Sequence, residues 1–362
     1  MNMKIHRILP LLYVGLTLFT SCSTSDDSPG QPVMETENFA DGIFILNEGN
    51  FGSGNSTVSY LDASKGEMSH EIFRNQNDGL ELGDVGQSIA FLNNYAFVVV
   101  NVSNTIEVVD RTTFKHIMTI DTGLQNPRYI AFSEGKAFVS NWGDGGNPDD
   151  DFITVINAST FAVEKKISVS EGPEKIIAGA GRLFVAHPGG YNISNIISVI
   201  DPVKSDLTTT IPVGEQPNSM QLDGDFLWVL SSGKPSYLDD ESAGSLSKID
   251  IGTNEKVQEL VFPNSTDHPS NLEVENGNLY YTMNNAVYSF NKAENILSET
   301  ALFSVDEVDY QYGFEIQASE IYVASANMDF TGNGKLFIYD LSGSVLNSFD
   351  TGINPNGIYF NK

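Results

Sequence analysis

One pattern of short strands recurs along almost the whole chain, and it constrains the fold more than any other feature of the sequence. Turns that precede an apolar run stand at residues 87, 127, 173, 217, 269, 313 and 355, which are 40, 46, 44, 52, 44 and 42 residues apart. Each unit holds four runs of β-branched or aromatic residues bounded by Gly, Asn, Asp or Pro, which favours strands. Four strands in about 45 residues are typical of one β-propeller blade.

The two ends of the repeated region predict how the ring closes. The first unit begins at residues 42–46 with a run that corresponds to the second strand of the other units, and its missing first strand has a match at residues 356–360. We therefore expect an all-β, seven-bladed β-propeller over residues 42–362. Its blades are four-stranded, and the C-terminal strand closes blade one and removes exposed strand edges. Two β-sandwiches of about 160 residues are the alternative, but they do not explain seven evenly spaced units.

The first residues of the chain have the pattern of a lipoprotein leader. Lys4 and Arg7 precede an apolar run, residues 8–20, that is too short to span a bilayer of about 30 Å as a stable helix. The run ends in Leu18-Phe19-Thr20-Ser21-Cys22, which resembles a bacterial lipobox. We expect residues 1–21 to be a lipoprotein signal peptide and Cys22 to be the lipidation site. An ordinary secretory signal with a chance cysteine is the alternative.

Residues 22–41 are small and polar and contain Pro and Gly, so we expect a flexible acidic tether. The acidic pair Asp26-Asp27, shortly after the cysteine, resembles the surface-export signal of lipoproteins from Bacteroidota. That resemblance implies a protein that is lipid-anchored in the outer membrane and faces the cell surface.

The charge balance excludes nucleic acid as a partner. The chain has 19 Lys and Arg against 47 Asp and Glu, a formal net charge of -28, so it cannot build a basic face for phosphates. An anionic bilayer surface would repel it as well, apart from a covalent anchor. Cys22 is the single cysteine, which excludes an intramolecular disulfide and a cysteine-rich metal site.

Two segments carry a resemblance to known families. Residues 153–160, with the Gly-x-x-Pro link at residues 214–217, resemble the YVTN or YncE-like propeller repeat. Residues 46–60, with their Asn-Glu-Gly-Asn sequence, resemble the opening blade of surface-propeller lipoproteins of Bacteroidota. That group includes proteins that capture cobalamin and pass it to a TonB-dependent transporter. The resemblance covers about residues 42–360, and it implies a corrinoid ligand and a TonB-dependent transporter as partner.

The motifs of common enzyme classes are missing from the sequence. It holds no Gly-x-Ser-x-Gly elbow, and the four histidines after the leader fall in different units, with no two at metal-ligand spacing: His70, His116, His187 and His268. The densest oxygen cluster, residues 144–151, offers Asp144, Asp149 and Asp151 as calcium ligands. Its spacing is not that of an EF-hand loop, and a solvated acidic turn is the alternative. We expect no catalysis, no required cofactor and no required metal.

One face of the propeller carries the candidate ligand site. In a four-stranded blade the second-to-third and fourth-to-first connections lie on one face, and here several second-to-third loops are long, whereas the opposite turns are short. We call this the long-loop face; an elaborated face on a rigid scaffold commonly carries function. Its aromatic and amide residues suit a large flat ligand with polar edges. The candidates are Asn47, Asn50, Phe51, Asn126, Arg128, Asn141, Trp142, Tyr191, Asn218, Tyr237, Asn271, Tyr312, Asn327, Phe330 and Asn356.

Three classes of function remain open at this point. The first is a non-enzymatic binding protein for a small molecule, a corrinoid, with Trp142 as a main anchor and Trp228 as a core residue. The second is a glycan- or protein-binding surface propeller, and the third is a propeller hydrolase or lactonase, against which the absence of histidine clusters argues. For any single candidate, the alternative is that asparagines satisfy turn backbones and aromatics fill loops.

Overall fold

The computed structural model describes residues 38–362, which form seven four-stranded sheets. The expectations for residues 1–21, for Cys22 and for the tether up to residue 37 lie outside the described residues. The folded unit includes Phe39, ahead of the expected boundary at residue 42: its ring is buried and its backbone N–H donates to the Thr112 carbonyl at 2.7 Å.

The strands follow one another in chain order, four to a blade. Blade 1 contains β1 (Ile43–Asn47), β2 (Thr57–Asp62) and β3 (Glu67–Ser69), and blade 2 contains β4 (Gly86–Leu92), β5 (Tyr95–Val100), β6 (Thr105–Asp110) and β7 (His116–Ile120). Blade 3 contains β8 (Pro127–Ser133), β9 (Lys136–Asn141), β10 (Phe152–Asn157) and β11 (Val163–Ser168), and blade 4 contains β12 (Ile176–Gly179), β13 (Arg182–His187), β14 (Ile196–Asp201) and β15 (Asp206–Pro212). Blade 5 contains β16 (Pro217–Asp223), β17 (Phe226–Ser231), β18 (Ser245–Asp250) and β19 (Glu255–Val261). Blade 6 contains β20 (Ser270–Glu275), β21 (Asn278–Met283), β22 (Ala286–Asn291) and β23 (Phe303–Ser304), and blade 7 contains β24 (Tyr310–Gln317), β25 (Glu320–Ala326), β26 (Asn333–Asp340) and β27 (Val345–Ile353). The last strand, β28 (Pro355–Phe360), joins blade 1.

The seven-bladed fold is confirmed, and so is its closure by the C-terminal strand. β28 pairs antiparallel with β1, with Ile43 opposite Phe360 and Ile45 opposite Ile358. It also packs against the innermost strands β24 and β4 of the two neighbouring blades. The innermost position of blade 1 is therefore filled by residues more than 300 positions away from β1 in the chain.

The core lies between neighbouring blades rather than at the axis. The second strands of the blades are buried along nearly their whole length, because each blade stacks face to face on two others. One such cluster joins Trp228 of blade 5 to Tyr281 and Phe290 of blade 6. The outermost strands, such as β15, keep most of their residues exposed.

A short helix, α1 (Ile72–Gln76), lies in the connection from blade 1 to blade 2. The sequence analysis did not anticipate it, because five residues are too few to show a helical apolar period. Its Ile72 and Phe73 are buried, and Phe73 packs edge-on against Phe114 with ring centroids 6.5 Å apart. Within residues 38–362, no helix has the length and apolar character needed to span a bilayer.

Candidate functional site

A cavity of about 400 Å³ opens on the long-loop face where the inner strands of several blades meet; we call it the mouth. Loops and inner-strand ends of blades 1, 2, 3 and 7 contribute its walls. Five of the sequence candidates line it: Asn50, Phe51, Arg128, Tyr312 and Phe330. Glu48, Gly49, Val85, Gln87 and Asn354 complete the lining.

Aromatic side chains form one wall of the mouth. Phe330 meets Tyr310 edge-on with ring centroids 4.9 Å apart, and Tyr312 at 6.4 Å. Phe51 stands beside them with 82% of its surface exposed. The Phe330 carbonyl accepts hydrogen bonds from the Asn50 and Asn354 amides, at 2.9 and 3.2 Å, which ties the blade 7 loop to blade 1. The wall is therefore held in place although it faces solvent.

Glu48 supplies the carboxyl group of the mouth. It accepts hydrogen bonds from the Tyr312 hydroxyl at 2.7 Å and from the Asn356 amide at 2.9 Å. Burial raises the pKa of Glu48, although both of these hydrogen bonds oppose the rise. The group is thus oriented by neighbours on blades 1 and 7 and keeps lone pairs for a donor on a ligand.

Arg128 stands on the other side of the mouth and is already paired. Its Nε and Nη2 atoms donate to the two carboxylate oxygens of Glu174 at 2.8 and 2.9 Å. Its guanidinium carbon lies 4.1 Å from the Trp142 ring centroid, a cation–π contact. Trp142 in turn meets the exposed Tyr191 edge-on, with centroids 6.0 Å apart. Since Glu174 neutralises the guanidinium, this side does not attract an anionic ligand strongly.

The channel below the mouth is polar. Inner-strand residues Glu273 and Glu315 face it from blades 6 and 7, and burial raises the pKa of both carboxyl groups. Lys175 of blade 4 approaches the same channel, with its Nζ 4.5 Å from the Tyr129 ring centroid. An apolar ligand ring would leave these groups without hydrogen-bond partners, so the mouth above them is the better place for it.

All eight candidate asparagines have hydrogen bonds inside the scaffold, six of them in addition to Asn50 and Asn356. Asn47 and Asn141, at the ends of β1 and β9, are fully buried. They bond to neighbouring strands and turns. The side-chain amides of Asn126, Asn218, Asn271 and Asn327 bond within their own blade or to the next blade. The side-chain amides of these six residues are thus bonded to turns, to neighbouring strands or to the next blade. Tyr237 is 80% exposed on the blade 5 loop and does not line the mouth.

The three aspartates considered as calcium ligands do not converge. Asp144 and Asp149 are exposed, whereas Asp151 is buried and accepts the Gly172 N–H at 2.7 Å. Among residues 38–362, no group of three or more His, Cys, Asp or Glu side chains is arranged to hold a metal ion. In the described loop, Asp151 instead links blade 3 to blade 4.

Asp151 should make the stability of the protein depend on pH. Burial raises the pKa of Asp151 to about 7, so the folded state holds this proton more tightly than the unfolded state. Its stabilising effect is complete at acidic pH and is lost as the pH rises through about 7. In wild type, this one group should lower the unfolding free energy by roughly 2–3 kcal/mol as the pH rises from 5 to 8. We expect Asp151→Asn to lack that part of the decline.

Denaturant unfolding at pH 5, 6, 7 and 8 measures this effect. Asp149→Asn is the matched control, because Asp149 is an exposed aspartate of the same loop. A difference between wild type and Asp151→Asn that stays constant over this pH range would contradict the assignment.

Glu48, Gln87 and Glu174 were not among the candidates. Glu48 could have been found, because it directly follows β1 at the start of a long loop on the long-loop face, the same loop that supplied Asn50 and Phe51 as candidates. Glu174 is identified only by its pairing with Arg128, a contact between two blades that no local pattern contains.

Comparisons with known proteins agree with the fold. A family model described as "Domain of unknown function (DUF5074)" matches residues 41–336. No curated protein matches the sequence significantly. A hypothetical selenium-binding protein from Sulfolobus tokodaii is similar in structure, with a TM-score of 0.65, 12% identity and coverage of 89% of this chain and 93% of that one.

Two further solved structures share the architecture. A protein from Lactobacillus plantarum has a TM-score of 0.61 and 15% identity, and the alignment covers 89% of this chain and all of that one. Apo AztD from Citrobacter koseri has a TM-score of 0.53 and 12% identity, with 88% and 96% covered. At these identities the likeness concerns the fold alone, and none of the matches is specific to the cobalamin-capturing lipoproteins.

Proposed function

Because the chain belongs to the family described as a domain of unknown function (DUF5074), its role has to be argued from its own site. We propose that it is a non-enzymatic binding protein that holds a corrinoid on the long-loop face, over the mouth. The observation that carries the proposal is the aromatic wall of Phe51, Tyr312 and Phe330 beside the hydrogen-bonded carboxyl of Glu48.

The chemistry of the mouth fits a flat ligand with polar edges. The aromatic side chains offer apolar surface to a ring, and Glu48 with Gln87 offers acceptors to amide groups at its periphery. Phe51 at the mouth and Tyr191, which contacts Trp142 in the loops of blades 3 and 4, are 82% and 79% exposed, and exposed aromatic side chains on one face are typical of binding surfaces. A corrin ring with amide arms has this combination of faces and edges.

The leader expected from the sequence extends the proposal to where the protein is located and to its partner. Acylation at Cys22 would anchor the protein to the outer membrane at the cell surface, and a TonB-dependent transporter would accept the ligand from it. A glycan- or protein-binding role on the same face is the alternative, since aromatic and amide side chains also serve those ligands.

Phe51→Ala tests the site. Calorimetric titration with cyanocobalamin should show binding to wild type that is weakened about tenfold or more in this variant, because a large aromatic contact is lost. The melting temperature should hardly change, since the side chain is mostly exposed. Ile296→Ala is the matched control: Ile296 is 80% exposed in the β22–β23 connection, on the opposite face, and its loss should leave affinity unchanged.

The outcomes separate the alternatives. If wild type does not bind cyanocobalamin, the corrinoid assignment is wrong and the glycan or protein ligand takes its place. If wild type binds and Phe51→Ala binds equally well, the ligand occupies another part of the propeller.

A further inference from the structure

A second cavity lies on the same face as the mouth, nearer its edge. A groove of about 440 Å³ lies at the rim of the long-loop face between blades 1 and 7; we call it the rim groove. Asn55, Thr57, His70, Arg74, Asn333 and Thr351 are among the residues that line it. Its volume is within the roughly 300–1,000 Å³ range of small-molecule sites.

The floor of the rim groove is built by Asn47. The buried amide of this residue donates to the Thr57 and Ser59 hydroxyls, both at 3.1 Å, and its carbonyl oxygen accepts the Gly352 N–H at 3.1 Å. These bonds join β2 of blade 1 to β27 of blade 7. A side chain at Gly352 would collide with Thr57 and Asn47, at 2.6 and 2.8 Å from an added Cβ. The close approach of the two blades here therefore needs glycine.

Helix α1 closes the outer side of the rim groove. The burial of Ile72 and Phe73 fixes the helix, which leaves His70 and Arg74 at the groove. His70 is within 3.3 Å of the Ser59 hydroxyl through its Nδ1 atom. No other connection between two blades among the described residues contains a helix, so this outer wall has no counterpart at the other blade junctions.

The lining disfavours ions and apolar molecules. Arg74 is held by two carboxylates, with Nε 3.2 Å from Glu81 and Nη1 3.6 Å from Glu71, so its charge is locally compensated. A phosphate or carboxylate would have to displace these partners in a chain of net charge -28. An apolar ligand would cover hydroxyls, amides and an imidazole without giving them hydrogen-bond partners.

A neutral polyhydroxylated ligand fits this set of groups. Sugar hydroxyls both donate and accept, and the lining offers both kinds of partner in the Thr57 hydroxyl, the Asn333 amide and the Glu81 carboxylate. The Asn333 amide has no hydrogen-bond partner within residues 38–362, so it is open to a ligand. We propose that the rim groove is a carbohydrate-binding site, separate from the mouth, for a short neutral saccharide.

Saturation-transfer NMR with a set of neutral sugars tests the proposal: glucose, galactose, mannose, maltose and cellobiose. Wild type should transfer saturation to at least one of them. The double variant Arg74→Ala/Asn333→Ala should weaken that binding about tenfold, because two hydrogen-bonding side chains are lost. Both residues are exposed, so the melting temperature should change little and will show that the variant is folded.

Two matched variants locate the site. Asn195→Ala removes an exposed asparagine from the blade 4 loop, on the far side of the ring, and should bind the sugar like wild type. Phe51→Ala, which alters the mouth, should also bind it like wild type. The proposal is overturned if none of the five sugars receives saturation, or if the double variant gives the wild-type signal. Cyanocobalamin binding is measured separately, so either proposal can fail while the other stands.

Discussion

Removal of residues 355–362 should cost at least about 5 kcal/mol of unfolding free energy, on the order of 10 °C in melting temperature or more. The deleted segment is β28, the innermost strand of blade 1, and its Ile358 is buried between blades 1 and 7. Without it, β1 would present an unpaired edge to the axis and the ring would be open. Thermal and denaturant unfolding measure the loss.

Two further variants make this result specific to closure. Deletion of Lys362 alone should have a small effect, because that residue is exposed. A rearranged chain that carries residues 354–360, then Asn-Gly, ahead of residues 43–353 should recover part of the stability, since Phe360 lies opposite Ile43 and a two-residue turn can join them, whereas the packing of Phe39 is lost. An unchanged melt of the deletion variant would refute closure by β28.

Trp228→Ala should lower the unfolding free energy by about 3–5 kcal/mol through the cavity it leaves. The Trp228 ring is 1% exposed, meets Phe290 edge-on at 6.2 Å and lies beneath the Lys248 ammonium at 5.0 Å. The burial of this ring confirms the expectation that Trp228 is a core residue. Chemical unfolding of the purified variant measures the loss.

Trp142→Ala is the informative comparison for this result. Trp142 is half-buried under Arg128, so we expect a smaller loss of stability, about 1–2 kcal/mol, together with weaker binding of cyanocobalamin. This differs from the expectation for a fully exposed anchor, because the indole packs against Arg128, which lines the mouth, and against Tyr191 outside it. Equal losses of stability in the two variants would contradict the different burial of the two rings.

The fold could be predicted from the sequence because propeller blades are local. Each blade is four consecutive strands joined by short turns, so the strand pattern and its period carry the architecture. Ring closure is the one distant pairing, and it was visible because the first unit lacks a strand that the C-terminus supplies. Helix α1 was missed because its formation depends on the burial of Ile72 and Phe73, which is a tertiary effect.

The site was harder to predict, since an asparagine that bonds to a ligand and one that bonds to a turn have the same side chain. What separates them is where the folded ring places them: the Asn218 amide bonds to the Pro269 carbonyl and does not line the mouth, whereas the Asn50 amide bonds to the Phe330 carbonyl and lines it. The rim groove was invisible for the same reason, because it exists only where blades 1 and 7 meet and α1 covers them.

The loop between β1 and β2 separates the two cavities, and this has a thermodynamic consequence. Asn50 lines the mouth and Asn55 lines the rim groove, and each bonds to the other: the Asn50 backbone N–H donates to the Asn55 side-chain oxygen at 2.7 Å, and the Asn55 side-chain amide donates to the Asn50 side-chain oxygen at 3.2 Å. A ligand that orders this loop from one side spares the second ligand part of the same entropy loss. Occupancy of the two cavities would then be positively cooperative, and linkage requires each ligand to tighten the other by the same factor whichever binds first.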